Sequence, residues 1–370
     1  MPDPLLDELN STTMYEVYPR VIEDEFFLAA PFLAYIRDHC LVPFTGGSFM
    51  QAIFRYAPMI GGFYAPGADF NITKRQTISA LQFDPRYVYV SIPEYKEQLM
   101  VENKGPLAVA SLLDADMQNG VDTINAIVAI ALAQSGQGSR SRAINGWVEA
   151  LSDGLTPGWD GSVYTTYGGQ TRNGAIGSAL NSVPVWLGNS DGSAGVVSYS
   201  AYEELYQNAC IGKKEPNLCT ANKAAIAYIK EKMQPQQRFA QEKDPVWGVT
   251  GFRFNNAMVL KDDYFPSLKY GNSDAVLGSW LTSTVNTTGL SPATASNFPA
   301  NTVCTIGEVV AFFNTFDWLF RISDSEEFGF GFSGFVPAQG NTRIVGQVKA
   351  MVNLECTSPR TNVYGMGIGG

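Results

Sequence analysis

His39 is the only histidine of the chain and lies in the sequence YIRDHCLV, beside Asp38 and Cys40. A hydrolase triad or a histidine metal site would have to be built around this one residue. Neighbours in sequence rarely point in the same direction. We therefore interpret His39 as a structural residue and predict no catalytic, metal or cofactor site.

The segment Gly329-Phe330-Gly331-Phe332-Ser333-Gly334 has the GxGxxG spacing of a dinucleotide-binding loop. Such a loop needs a strand before it and a helix that opens on it. Here Val336 and Pro337 follow, and phenylalanines alternate with glycines. This pattern predicts a strand whose glycines let aromatic rings pack across a sheet, without a nucleotide cofactor.

Adjacent carboxylates occur at Asp262-Asp263 and at Glu326-Glu327. A glycosidase needs only two positioned carboxylates, so a β-rich glycan hydrolase or glycan-binding protein stays open as an alternative. Nothing marks a particular pair, and adjacent acids are more typical of solvated strand ends. In this alternative a carbohydrate cleft would be lined by three tryptophans, Trp147, Trp159 and Trp186.

The five cysteines are scattered and never have CxxC spacing, which argues against a disulfide framework or a zinc ribbon. A bridge between Cys210 and Cys219 stays open, but free thiols are the default expectation. The start, MPDPLLDELN, lacks the features of a signal peptide. No apolar run is long enough to cross a membrane. We expect a soluble protein made inside the cell.

The composition is poor in charge for a chain of 370 residues. Charged residues make up 16% of it, against about 25% in typical globular proteins. With 25 basic and 35 acidic residues, the net charge is −10. An acidic chain without a basic block is a poor candidate for tight, phosphate-driven binding of nucleic acid. The low charge suggests that copies of the chain cover much of its surface.

A long β-hairpin is the most distinctive element near the N-terminus. It follows an irregular arm through about residue 43, and its strands are expected at 48–56 and 72–83. Each arm would reach roughly 30 Å. The tip either folds back onto its own domain or lies on a neighbouring subunit. It is apolar for an exposed loop, with Met59, Ile60, Phe63 and Tyr64.

Further along the chain, apolar residues step by three or four from Leu107 to Ser135, which predicts one long amphipathic helix. Strands are predicted at 86–92 and, paired, at 246–266, with helices near 202–210 and 221–233. Near the C-terminus, alternate residues from Ile344 to Cys356 predict an unusually long strand.

This order of elements resembles the major capsid proteins of tailed bacteriophages, which have the Hong Kong 97-type fold. The resemblance covers essentially the whole chain and depends on layout and loose segments. The segment SRAINGWVEAL, with its Asn-Gly before an apolar helix, is similar to the one after the spine helix in that family. The tail Ser358-Pro359-Arg360-Thr361-Asn362 resembles its closing Asn-Pro-Arg-like sequence, and GFRFNNAMVLKDDYFP a recurring strand-turn-strand.

The resemblance implies an α+β fold with an N-terminal arm, an extended β-hairpin loop, a peripheral domain with a spine helix at about 107–135, and an axial domain. Subunits of this family overlap through the extended loop, so Met59, Ile60, Phe63 and Tyr64 would be subunit-interface residues. The implied domains are 1–43 for the arm, 44–83 for the loop, 84–150 and 305–370 for the peripheral domain, and 151–304 for the axial domain.

The implied function is a shell protein without catalytic activity. It would assemble into hexamers and pentamers of an icosahedral virion capsid, in the host cytoplasm, and enclose double-stranded DNA without sequence-specific binding. Expected partners are the portal, a separate scaffolding protein and decoration proteins. Lys74 is the only lysine of the loop region, and neither a partner asparagine nor an acidic catalyst can be matched to the family pattern, so we predict no lysine–asparagine cross-link. The nearest alternative is an encapsulin-like compartment, which would hold cargo protein instead of DNA.

Overall fold

The computed structural model describes residues 30–55, 57, 59–95, 112–137, 141–156, 158, 162–172, 189–191, 199–233, 241–243, 250–262, 264–265, 308–325, 328–332, 334–337 and 342–368. The helices in this part of the chain are α1 Pro31–His39, α2 Leu112–Leu132, α3 Trp147–Leu151, α4 Tyr199–Ala209 and α5 Lys223–Met233. The strands up to α4 are β1 Leu41–Phe44, β2 Met50–Arg55, β3 Ile78–Phe83, β4 Arg86–Tyr95, β5 Thr166–Tyr167, β6 Gln170–Thr171 and β7 Asn189–Asp191. The later strands are β8 Leu218–Ala221, β9 Gln241–Lys243, β10 Thr250–Phe254, β11 Ala257–Lys261, β12 Glu308–Phe313, β13 Trp318–Ser323, β14 Gly329–Phe332, β15 Val336–Pro337, β16 Arg343–Cys356 and β17 Val363–Ile368.

The long C-terminal strand β16 is the centre of a six-stranded sheet and confirms the strand predicted there. It pairs antiparallel with β13, β14, β15 and β4. Its pairing with β4 runs over ten residues, from Arg86–Val352 to Tyr95–Arg343. The predicted alternation holds only in its first half. From Ala350 to Cys356 every residue is buried, because both faces of the sheet are covered there.

Helix α2 packs close to this sheet and confirms the predicted long helix over the described residues. At Gly120 an added Cβ would lie 2.8 Å from the side chain of Ile92 on β4, so the glycine allows the close approach. The regular helix ends at Leu132, three residues before the predicted end. Residues 107–111 lie outside the described residues.

A second sheet has seven strands in the order β7-β17-β12-β8-β11-β10-β9. The predicted strand pair at 246–266 is confirmed as β10 and β11. Strand β12 pairs with β8 and β17, so this sheet takes strands from both sides of the predicted domain boundary at residue 304. Helix α4 packs its Leu205 against Gly365 of β17.

The chain passes directly from one sheet to the other between β12 and β13 and again between β16 and β17, and one asparagine binds both connections. The side-chain oxygen of Asn362, between β16 and β17, accepts a hydrogen bond from the backbone N–H of Asn314 at 2.7 Å. The same oxygen accepts from Nε1 of Trp318 at 2.8 Å. Asn314 and Trp318 flank the turn from β12 to β13. All three residues are buried, so these bonds hold the two sheets together.

The expectation of an irregular arm through about residue 43 is wrong from residue 31 onward, where the chain forms α1 and then β1. Pro31 is suited to the first turn of α1, and Phe32 and Ile36 are buried in the main core. The backbone N–H of Phe32 donates to the Asp262 carboxylate at 2.9 Å. The helix escaped prediction because only nine residues carry the pattern. Its stability comes from packing rather than from its own sequence.

The GxGxxG segment is a strand, as predicted. Gly329–Phe332 pairs antiparallel with β16. The rings of Phe332 and Phe335 pack edge to face, with centroids 5.1 Å apart. An added Cβ at Gly346 of β16 would lie 2.6 Å from the Phe332 ring. A glycine therefore makes room for an aromatic ring, and the segment is not a phosphate loop.

Gly146 precedes α3 in the Asn-Gly sequence and packs against the carbonyl groups that end α2. A Cβ there would overlap the main-chain oxygens of Leu132 and Gln134. We predict that Gly146→Ala lowers the free energy of unfolding by about 3 kcal/mol, the upper range for overpacking. Urea denaturation measures this.

Gly61→Ala is the control, because nothing lies within 4 Å of the added methyl group. It should change stability by no more than about 0.5 kcal/mol. Equal stability of the two variants would contradict the packing assigned to Gly146.

Candidate functional site

The predicted hairpin is present, with strands β2 and β3 paired antiparallel from Met50–Phe83 to Arg55–Ile78. The strands are shorter than expected, because the chain between them leaves the ladder at residues 57–77. Along β2 the side chains alternate between buried and exposed, with Phe54 buried and Ile53 exposed. The hairpin is therefore packed on one side only.

The segment from residue 57 to residue 77, which we call the distal loop, carries the four predicted interface residues. Met59 is 73% exposed, Tyr64 is 67% exposed, and Phe63 is fully exposed. Ile60 is also exposed. The tip does not fold back onto its own domain, which was the first of the two alternatives.

The contacts of the distal loop that the structure describes are local. The backbone N–H of Ala68 donates to the oxygen of Ala65 at 2.9 Å, and the ring of Tyr64 packs edge to face on that of Phe70 at 4.9 Å. Phe70 and Ile72 are also exposed. The sequence analysis did not select Phe70, and it assigned Ile72 to the returning strand. Both could have been selected as apolar residues in or next to a loop rich in glycine and proline.

The base of the hairpin is bound to the turn between β5 and β6, which we call the mount (residues 166–171). The backbone N–H of Gln82 donates to the oxygen of Gly168 at 3.0 Å. The side chain of Gln170 donates to the oxygen of Ala80 at 3.0 Å. The rings of Phe83 and Tyr167 meet with centroids 5.1 Å apart. These contacts fix the direction in which the hairpin projects.

Beneath the mount lies a buried carboxyl group, Glu149 of α3, which is 1% exposed. It accepts hydrogen bonds from the Ser135 hydroxyl at 3.2 Å, the Gly136 N–H at 3.1 Å, the Gln137 amide at 2.7 Å and the Asn145 amide at 3.1 Å. We call these five residues the Glu149 cluster. Burial raises the pKa of the Glu149 carboxyl, and the hydrogen bonds offset only part of this effect.

Two side chains connect the Glu149 cluster to the mount. The amide of Gln137 also donates to the main-chain oxygen of Thr166 at 2.6 Å. Arg172, which follows β6 and is fully buried, donates to the main-chain oxygens of Glu149 and Ala150 at 2.9 and 2.8 Å. Burial lowers the pKa of Arg172 to about 10, so the guanidinium stays charged at neutral pH. The mount is therefore fixed to α3 by hydrogen bonds with a charged donor.

The residues considered for catalysis are dispersed. His39 is partly exposed, stacks on the ring of Tyr35 at 4.1 Å and contacts its main-chain oxygen through Nδ1 at 3.1 Å. Both contacts are with a single residue of the same helix. Asp262 was expected at a solvated strand end, and this is wrong. It is buried and accepts from the N–H of Phe32 and of Tyr264, which would otherwise lack partners in the core.

One of the three tryptophans proposed to line a carbohydrate cleft does not reach the surface. Trp147 is fully buried and stacks on Phe265 with centroids 5.3 Å apart, so it cannot line a cleft. The other residues weighed for this alternative, Asp263, Trp159, Trp186, Glu326 and Glu327, lie outside the described residues. The residues that the structure describes therefore do not form the carbohydrate site that the glycan hypothesis requires.

The cysteines that the structure describes, Cys40, Cys210, Cys219 and Cys356, are free thiols. The suggested bridge between Cys210 and Cys219 is thus not formed, and Cys304 lies outside the described residues. Burial raises the pKa of Cys40 to about 12 and raises that of Cys219 further, which keeps both thiols unreactive.

Among the described residues, no group of three or more His, Cys, Asp or Glu side chains is arranged to hold a metal ion. No helix in the same part of the chain has the length and apolar character that crossing a membrane requires.

No protein-family model matches the chain, and no curated protein does. Solved structures do match. The capsid asymmetric unit of cyanophage A-1(L) aligns with 10% identity and a TM-score of 0.62, over 96% of this chain and 98% of that one. The capsid of a native GTA particle aligns with 11% identity and a TM-score of 0.56, over 96% and 94%. The holo-SrpI encapsulin of Synechococcus elongatus PCC 7942 aligns with 10% identity and a TM-score of 0.55, over 100% and 96%.

These alignments span nearly the full length of each chain at very low sequence identity. They establish that this chain has the α+β fold shared by those phage capsids and that encapsulin, which confirms the predicted fold class. At 10–11% identity the similarity is one of fold alone.

Gly168 is the residue of the mount that the hairpin approaches most closely. Its φ is +55°, and a Cβ would lie 2.9 Å from the Phe83 ring and 3.0 Å from Leu81. We predict that Gly168→Ala displaces the hairpin base. Hydrogen exchange of residues 78–83 should become faster, and the free energy of unfolding should fall by about 2–4 kcal/mol from backbone strain plus overpacking.

Gly169→Ala is the matched control. Its φ is +75°, but nothing lies within 4 Å of the added methyl group, so only the strain of about 1–2 kcal/mol applies. If both variants lose the same stability and leave the exchange of residues 78–83 alike, the mount does not hold the hairpin.

Proposed function

We propose that this chain is the major capsid protein of a tailed bacteriophage, with the Hong Kong 97-type fold. Copies assemble into hexamers and pentamers of an icosahedral shell that encloses double-stranded DNA. The projecting hairpin carries this proposal, because its distal loop exposes apolar side chains and, among the described residues, the hairpin is bound to the rest of the subunit through its base. Such a loop is stable and soluble in the long term only when another surface covers it.

The energetics suit assembly by many weak contacts. Full burial of one large apolar side chain stabilises a complex by about 1.5–3 kcal/mol. Six exposed apolar side chains in the distal loop, Met59, Ile60, Phe63, Tyr64, Phe70 and Ile72, supply this term. Part of it is offset by the entropy lost on association. In a closed shell the same contact recurs between all neighbouring subunits, so many modest interfaces together give a stable particle.

The domain assignment follows from the same proposal. Residues 1–43 form the arm, 44–83 the extended loop, 84–150 and 305–370 the peripheral domain with α2 as its spine helix, and 151–304 the axial domain. Helix α1 and most of β1 fall within residues 1–43. We assign them to the end of the arm that packs against the core.

The partners of the shell are chiefly other copies of the chain. A portal, a separate scaffolding protein and decoration proteins complete the proposed virion, and assembly takes place in the host cytoplasm. The net charge of −10 suits an inner wall that does not grip packaged DNA. No catalytic role is proposed.

An encapsulin-like compartment is the second candidate function, favoured by the similarity to the SrpI encapsulin over the whole of this chain. Both candidates require the same shell and the same use of the hairpin. They differ in content, which is DNA in the first case and cargo protein in the second.

The assembly state of the purified chain tests the proposal. At moderate salt we expect light scattering and negative-stain microscopy to detect closed particles tens of nanometres across, or uniform hexamers and pentamers. Nuclease-protected DNA in particles from infected or induced cells would identify the phage shell. Cargo protein without DNA would identify the compartment. A monomer that persists at high concentration, under several salt and pH conditions, would contradict both.

The role of the distal loop is tested by Phe63→Ser combined with Ile72→Ser. We expect this variant to keep its circular dichroism and unfolding midpoint, because both side chains are exposed. Its assembly should weaken by at least tenfold in critical concentration, since burial of two large side chains is worth more than the 1.4 kcal/mol that corresponds to tenfold.

The control is Phe316→Ser, an 87% exposed aromatic residue outside the hairpin. It should assemble like the unmodified chain. An equal loss of assembly in both variants would point to general surface hydrophobicity instead of the distal loop.

A further inference from the structure

The Glu149 cluster holds a carboxyl group and four hydrogen-bond donors at a buried position that an apolar side chain could fill. A buried carboxyl is costly to keep in a core when it is charged. Here it is surrounded by donors and lies directly below the mount of the hairpin. Gln137 donates one amide proton to Glu149 and the other to the oxygen of Thr166. One side chain, Gln137, therefore connects the carboxyl group to β5, a strand of the mount.

We propose that the protonation state of Glu149 controls how firmly the mount holds the base of the hairpin, so that this carboxyl is a pH-sensitive switch for the projecting loop. The switch acts within one subunit and does not depend on the proposed shell function. Its path is Glu149, Gln137, Thr166 and then the bond between Gly168 and Gln82.

The direction of the switch follows from proton linkage. In the closed cluster, burial raises the pKa of Glu149 above its ordinary value of 4.5. When the mount opens, water reaches the carboxyl and its pKa returns toward that value. Between the two values the open form binds fewer protons, so a rise in pH favours opening. The stability from neutral Glu149 is complete below pH 4.5 and is lost as the pH rises through the raised pKa.

The hydrogen bonds of the closed cluster accommodate both protonation states. Neutral Glu149 can donate its proton from Oε2 to the hydroxyl oxygen of Ser135, which lies at 3.2 Å. Oε1 continues to accept from Gln137 and Asn145. Ionised Glu149 accepts from all four donors but carries a charge that is 1% exposed. Hydration of that charge is the driving force for opening.

Three other ionisable groups near the cluster, Tyr167, Cys356 and Arg172, keep a constant charge between pH 4.5 and pH 8. Burial raises the pKa of Tyr167 on β5 and of Cys356 at the end of β16, so both stay neutral. Arg172, after β6, has a pKa of about 10 and stays charged. Asp153, after α3, is bound by the backbone N–H groups of Leu155 and Thr156. The last turn of α2 contributes no basic residue.

Hydrogen exchange of the full chain from pH 4.5 to 8 tests the switch, with each rate divided by the intrinsic exchange rate at that pH. Peptides that cover 78–83 and 166–172 should open more as the pH rises, by up to about tenfold per pH unit below the raised pKa. Peptides from β8 and β12 should not follow this trend. Light scattering at every pH establishes the assembly state, which separates this result from the shell proposal.

Glu149→Gln is the test variant, because its side chain is uncharged at every pH. It should keep the hairpin base closed at all pH values. Glu355→Gln is the matched control. It replaces another buried carboxyl whose pKa burial raises and which pairs with Arg321 instead of the cluster, and it should leave the pH response of the hairpin intact.

Gln137→Ala keeps the proposal testable if Glu149→Gln does not fold. It removes one of the two side chains that connect the cluster to the mount and leaves Arg172 in place, so the pH response of residues 78–83 should become smaller, while the peptide that contains Glu149 keeps its pH response. A hairpin base with no pH response in the unmodified chain would overturn the proposal. So would an unchanged response in Glu149→Gln or Gln137→Ala, or a lost response in Glu355→Gln.

Discussion

The buried carboxyl group of Glu149, beneath the mount, is the constraint on which the position of the hairpin base depends. Four donors converge on Glu149, and each belongs to the segment that joins α2 to α3. Without that acceptor, several buried N–H groups would lose their partners, at a cost of about 1–3 kcal/mol each. The cluster therefore determines the path of the chain after α2, and with it the position of Arg172 and the mount.

The hairpin combines a rigid base with a projecting tip. Its base is fixed through the mount, whereas its distal loop makes local contacts and exposes its apolar side chains. A segment of this kind contributes little to the stability of its own subunit. Its sequence can therefore change to suit a neighbouring surface without cost to the fold.

Sequence reasoning was accurate where a pattern is long and local. Strand β16 and helix α2 were predicted because their periodicity extends over many residues. It failed where distant segments decide the structure. Asp262 looks solvated in sequence, but its partner Phe32 lies 230 residues away. Glu149 carried no signal, since the donors that surround it are assembled only by the fold.

The order of folding is a further consequence of the sheet centred on β16. Strand β4, next to the hairpin, finds its partner only about 250 residues later, and Tyr167 of the mount accepts its hydrogen bond from the N–H of Cys356. Contacts of such long sequence separation form slowly. During translation the apolar loop emerges early, whereas these contacts of β4 and of Tyr167 form only after residue 356 has left the ribosome. A fully fixed hairpin base therefore depends on a strand that is synthesised long after the hairpin itself.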